Sequence, residues 1–137
     1  MKNLARCSAF DFVRGALTCF VLMATSLTYG ATYKMYSFKG SPDGDLPIWS
    51  GNLITDNKGH FYGTTVVGGT NGGGTVFEVS ASGEKVLYNF PGTSFDGSQP
   101  ESGLIFDPAG NLYGTTVGGG NSGCGSIGCG VVFEITP

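Results

Sequence analysis

Phe61-Tyr-Gly-Thr-Thr-Val66 returns as Leu112-Tyr-Gly-Thr-Thr-Val117, 51 residues further along the chain. Aromatic and β-branched residues dominate both runs, the composition of a β-strand. Matches extend outward in the same order on both sides. Downstream, a Gly-rich loop leads in each copy to Val76-Phe-Glu-Val79 or Val132-Phe-Glu-Ile135. Upstream, Asp56 and Gly59 correspond to Asp107 and Gly110, and Leu53-Ile54 to Leu104-Ile105. Further back, Asp43-Gly44 and Pro47 correspond to Asp96-Gly97 and Pro100, and Tyr36-Ser-Phe38 to Tyr88-Asn-Phe90. An ordered series this long defines a tandem repeat of about fifty residues, present twice.

Each copy reads as four short strands. The first spans residues 52–55 (103–106 in the second copy), the second 60–66 (111–117) and the third 75–79 (131–136). The fourth is 85–90, with 34–38 as its counterpart ahead of the first copy. Asp56-Asn-Lys-Gly59 and Asp107-Pro-Ala-Gly110 begin with an aspartate and end in glycine, as a type I turn prefers. No sustained 3.6-residue apolar period follows residue 33, so no helix is expected there. The 25 glycines of this 137-residue chain lack a three-residue period and accompany ten Phe and six Tyr. That is the composition of short strands joined by tight turns.

The N-terminus is of another kind. Lys2, Arg6 and Arg14 precede an apolar run from Ala16 to Ala24, and the small residues Gly30 and Ala31 follow. Basic region, apolar region and small-residue cleavage site make a secretory signal, assigned to residues 1–31. The run falls short of the about 20 apolar residues of a membrane span. Removing this segment leaves four lysines and nine acids, a net charge of −5. Without a basic patch, nucleic acid is excluded as a partner class. Cys124 and Cys129 remain as an even pair in a compartment where disulfides persist.

Four strands in about fifty residues is the size of a β-propeller blade. The expected fold is therefore all-β: two four-stranded antiparallel blades of an incomplete propeller behind a signal-peptide helix. The repeats divide as about 36–87 and 88–137. An ordinary ring takes about four to eight blades. Three strands at the end of the chain and one at its start would complete a blade, the way many propellers close. The expected partners are further blades of a longer chain, or self-association.

Asn111-Leu-Tyr-Gly-Thr-Thr116, the glycine-rich loop, and Gly130-Val-Val-Phe-Glu-Ile135 together resemble the Gloeo-Verruco repeat of bacterial choice-of-anchor tandem-repeat proteins. The resemblance covers residues 33–137, twice over. It implies an extracellular or surface bacterial protein and supplies no catalytic residues. Members commonly carry more copies and a C-terminal sorting segment; this sequence shows neither, which points to a piece of a longer protein.

Several residues have chemical potential, and each also has a plainer role. Cys124 and Cys129, five apart among glycines, suit a small disulfide loop. Zinc would require four ligands, and the chain has a single histidine. That histidine, His60, corresponds to Asn111, the mark of a turn residue. Glu78 and Glu134 could serve a glycosidic bond, but a carboxylate recurring in every copy serves the repeat, and the same holds for Asp56 and Asp107. Asp43, Asp45 and Asp96 lack the regular oxygen spacing of a calcium loop. The loops 68–74 and 118–130 lack the helix of a phosphate cradle and read as flexible hairpin connections. Tyr62, Thr64, Thr65 and their counterparts Tyr113, Thr115, Thr116 form the candidate ligand surface, for glycan or protein. The sequence thus predicts a secreted or cell-surface, non-catalytic, cofactor-free binding or scaffolding module. The alternative is part of a glycan-active propeller enzyme whose site lies in other blades.

Overall fold

Residues 34–47, 51–93 and 95–137 are described by the computed structural model. The expected signal peptide and its cleavage site lie outside these residues. The strands, in chain order, are β1 (Gly44–Asp45), β2 (Ile54–Thr55), β3 (Phe61–Thr65), β4 (Val67–Gly68), β5 (Thr75–Ser80), β6 (Gly83–Asn89), β7 (Ile105–Phe106), β8 (Leu112–Thr115) and β9 (Val132–Ile135). One 3-10 turn, Ser122–Cys124, interrupts the last loop, and the described residues contain no α-helix.

The repeats form separate antiparallel sheets, neither of them closed. The first has strand order β2-β3-β5-β6 and the second β7-β8-β9. Register is the same in both: Tyr62 opposes Glu78 and Gly63 opposes Phe77, while Tyr113 opposes Glu134 and Gly114 opposes Phe133. The glycine inside each Tyr-Gly-Thr-Thr strand receives the ring of its cross-strand partner. A Cβ on Gly63 would lie 2.7 Å from the Phe77 ring, and one on Gly114 2.5 Å from the Phe133 ring. The motif therefore keeps a glycine at a position where strand propensity disfavours one.

Side chains alternate across a strand, and the two faces of the first sheet meet different neighbours. Tyr62, Thr64, Val76 and Glu78 share the face that meets the second repeat. There, Tyr62 meets Phe106 edge-on with ring centroids 5.1 Å apart, and Thr64 Oγ1 donates to the Ser102 carbonyl at 3.3 Å. Val76 joins Phe90, Leu104 and Leu112 in the core, so the core lies between the repeats rather than within either. Fully burying a side chain of this size contributes about 1.5–3 kcal/mol. The reason for stacking is that a sheet one layer thick cannot cover both of its faces.

Three expectations are corrected. Residues 34–38 form no strand: an outer strand needs a third strand beside it, and β5 already pairs with β6. The segment instead lies over the first sheet, with Phe38 edge-on to Phe77 at 4.9 Å. For the same reason the second sheet has three strands among the described residues, not four. The Gly-rich loops also carry defined pairing where hairpin links were expected. β1 pairs with β4, the Gly69 N–H donates to the Asp43 carbonyl, and the Gly74 N–H donates to Gly68 O at 3.2 Å.

Candidate functional site

The Asp turns explain the exchange of His60 for Asn111. The Asp56 carboxylate accepts from the Lys58 and His60 N–H groups, at 2.8 and 3.3 Å, and meets His60 Nδ1 at 2.6 Å. The Asp107 carboxylate accepts from the Ala109 and Asn111 N–H groups at 2.8 and 2.9 Å, and from Asn111 Nδ2 at 2.8 Å. An imidazole or an amide serves because each reaches the same second carboxylate oxygen. Gly59 and Gly110 close these turns with φ of 95° and 92°, which a side chain would strain. Partial desolvation pushes the Asp56 carboxyl up, but the Lys58 N–H, the His60 ring and the His60 N–H outweigh it and hold the group below its ordinary value. Asp107 is lowered in the same way: desolvation opposes, while Asn111, Ala109 and Tyr113 prevail.

A second recurrent carboxylate anchors the Tyr-x-Phe segments. Tyr36 donates to Asp43 Oδ2 at 2.8 Å and Tyr88 to Asp96 Oδ2 at 2.6 Å. Each aspartate also accepts from the N–H of the glycine after it, at 2.7 Å. These hydrogen bonds push both phenols up, with desolvation adding to the effect. From sequence these aspartates are conceivable calcium ligands, a role their spacing does not suit. The missed signal was that the tyrosine and the aspartate recur together in both copies.

The six candidate ligand-surface residues do not form one surface. Thr64 and Thr65 are fully buried and Thr116 nearly so. Thr65 Oγ1 donates to Val67 O at 3.0 Å and lies 2.9 Å from Thr75 Oγ1. Thr116 Oγ1 donates to Gly118 O at 2.7 Å and accepts from the Val131 N–H at 3.0 Å. These two hydroxyls satisfy the loop backbone and that of Thr64 the Ser102 carbonyl, so Thr64, Thr65 and Thr116 do not present the exposed surface that was expected of them. Tyr62 and Tyr113 are half-buried and Thr115 is exposed.

Tyr62 opens onto a groove of about 450 Å³ between the repeats, where Glu78, Lys85, Phe106 and Ile135 also contribute. Desolvation, then the charges of Glu78 and Asp56, push the Tyr62 phenol up. Tyr113 donates to Glu134 Oε1 at 2.9 Å, and that bond is the main cause of its own upward shift. The groove offers an aromatic wall, one acid and one base, a set suited to contact with a polar ligand. Among the described residues no group of three or more His, Cys, Asp or Glu side chains could hold a metal ion. Cys124 and Cys129 stand at disulfide distance, their Cα atoms 5.0 Å apart. Their loop docks on Gly119, which donates to Ile127 O at 2.6 Å and accepts from the Cys129 N–H at 2.9 Å.

Two like sheets stacked through a shared core, with recurrent carboxylates holding their own turns, define an all-β tandem-repeat protein. Residues 18–137 match the Gloeobacter/Verrucomicrobia repeat, and the chain belongs to that family. No curated protein and no solved structure matches it.

Proposed function

We propose that this is an exported bacterial repeat module whose repeats act as β-propeller-type blades, and that it binds or scaffolds at the cell surface without catalysing a reaction. One observation carries this reading. The four aspartates that recur between the copies, Asp43, Asp56, Asp96 and Asp107, all accept main-chain N–H groups of their own turns. Recurrent aspartates, Asp43 and Asp96 of the conceivable calcium loops among them, are thereby spent on loop geometry. The groove beside Tyr62 is the preferred contact surface for a glycan or protein, and further blades are the natural neighbours of the open sheets.

Two measurements test it. Cell fractionation with N-terminal sequencing should find an exported form that begins near Ala31 or Thr32; a cytosolic form retaining residues 1–31 contradicts export. The purified protein is also incubated with insoluble peptidoglycan, chitin and cellulose, and both retention and released reducing ends are read. Retention that Tyr62→Ala abolishes, with no release, supports a binding module. Release that Glu78→Gln or Glu134→Gln abolishes overturns the non-catalytic reading.

A further inference from the structure

The contact between the repeats joins one face of the first sheet to the opposite face of the second. Both halves of that contact occur again, with exposed apolar residues, at the far sides of the pair. On the outward face of the second sheet, Val132 is 77% exposed, whereas its counterpart Val76 in the inter-repeat core is 0% exposed. On the outward face of the first sheet, Leu53 and Phe61 are 56% and 45% exposed, whereas their counterparts Leu104 and Leu112 are each 3%. Single exposed apolar residues are ordinary. Here they are the same positions that, one repeat away, build the core.

The backbone repeats this pattern. Among the described residues no strand pairs with the outer edge of β9, where β5 has β6. Residues 34–38 have the sequence of β6 and no strand to pair with. They are nevertheless placed as β6 places its own end. Phe38 lies edge-on to Phe77 as Phe90 does to Phe133, at 4.9 and 5.2 Å. Tyr36 and Tyr88 each pack edge-on against the phenylalanine two residues on, at 5.3 and 4.9 Å.

We infer that a second copy of this chain docks head to tail, with the Val132 face of one copy covering the Leu53 and Phe61 face of the next. Residues 34–38 of that next copy supply the fourth strand that β9 lacks. The β5–β6 register, Val76 opposite Tyr88 and Phe77 opposite Val86, sets the register in trans: Val132 opposite Tyr36 and Phe133 opposite Lys34. The occupant is a like repeat because the exposed surface is continuous in kind with an interface the chain already forms. This rests on the stacked-repeat part of the proposed function and not on its surface-binding part. A heterologous contact of this kind closes into a ring or runs on as a filament. A ring of ordinary blade number would take about two to four copies.

The test is native mass measurement of the purified full chain over a concentration series, alone and as variants. Wild type is expected to form multimers. Val132→Asp and Leu53→Asp each place a charge in one half of the contact, and each alone should be monomeric. When mixed, they should give a one-to-one dimer and nothing larger, because each retains the half the other has lost. Ser82→Asp, at an exposed turn, should assemble as wild type does, and circular dichroism confirms that the monomeric variants keep their sheets. Monomeric wild type at every concentration overturns the proposal, as do multimers indifferent to Val132→Asp or a mixture that stays monomeric. The glycan retention measurement is read separately, so failure of the ligand reading and failure of the assembly are told apart.

Discussion

Replacing Phe90 by alanine probes whether the two repeats share one core. Phe90 is almost fully buried, clusters with Val76, Leu104 and Leu112, and meets the Tyr88 and Phe133 rings at 4.9 and 5.2 Å. Its truncation removes a buried ring and leaves a cavity between two sheets, each held by its own hydrogen bonds and poorly able to collapse inward. A buried Phe→Ala change costs about 3–5 kcal/mol, a large share of the about 5–15 kcal/mol that holds a small domain. With a urea m-value of about 2 kcal/mol/M, the midpoint should fall by about 1.5–2.5 M. Phe38 is an internal control of the same residue type, in the same repeat position, but only half-buried. Phe38→Ala should cost about half as much, following the buried area it removes. Both changes are made in the Val132→Asp background, so that self-association does not enter the measured stability. Equal costs for the two variants, with both below about 1 kcal/mol, would refute a core shared between the repeats.

Gly114→Ala should destabilise by about 1–3 kcal/mol, because its methyl group meets the Phe133 ring; chemical denaturation measures it, and an unchanged midpoint would remove the ring-seat reading of the Tyr-Gly-Thr motif. Breaking the second-repeat loop with Cys124→Ser should cost about 2 kcal/mol in the chain-entropy picture of so short a loop, and dithiothreitol should do to wild type what the substitution does. The folded-state carboxyls of Asp56 and Asp107 are held below their ordinary value, so the stability they contribute is fully present above the unfolded value near 3.8 and is lost as pH falls through the folded one. Acid denaturation curves should therefore flatten below about pH 4 in the double variant Asp56→Asn with Asp107→Asn; a curve of wild-type steepness contradicts the turn assignment.

Much of this architecture could be read from the chain. The repeat, the Tyr-Gly-Thr-Thr strands and the Val-Phe-Glu strands follow from period and composition, and the family resemblance from the same residues. The Asp-to-Gly turns were legible because a side chain that caps its own backbone acts locally. What escaped the sequence depends on neighbours. Thr65 and Thr116 look like surface hydroxyls until the following loop folds over them, and Thr64 until the second repeat covers it, since threonine is equally at home on either face of a strand. Residues 34–38 carry strand propensity yet form no strand, because pairing depends on an edge that the first sheet gives to β6. The paired tyrosine and aspartate that tie Tyr36 to Asp43 and Tyr88 to Asp96 were visible as co-repeating residues, but only geometry shows that they touch.

In this fold one repeat is the covering surface of the next. Methyl and aromatic NOEs in the Val132→Asp background test it most directly, because no second copy then contributes. Contacts are expected from the Val76 methyls to Leu104 and Leu112 and from the Phe90 ring to Phe133, with a single tumbling time for both sheets. Absence of these contacts, with each sheet relaxing independently, would contradict it.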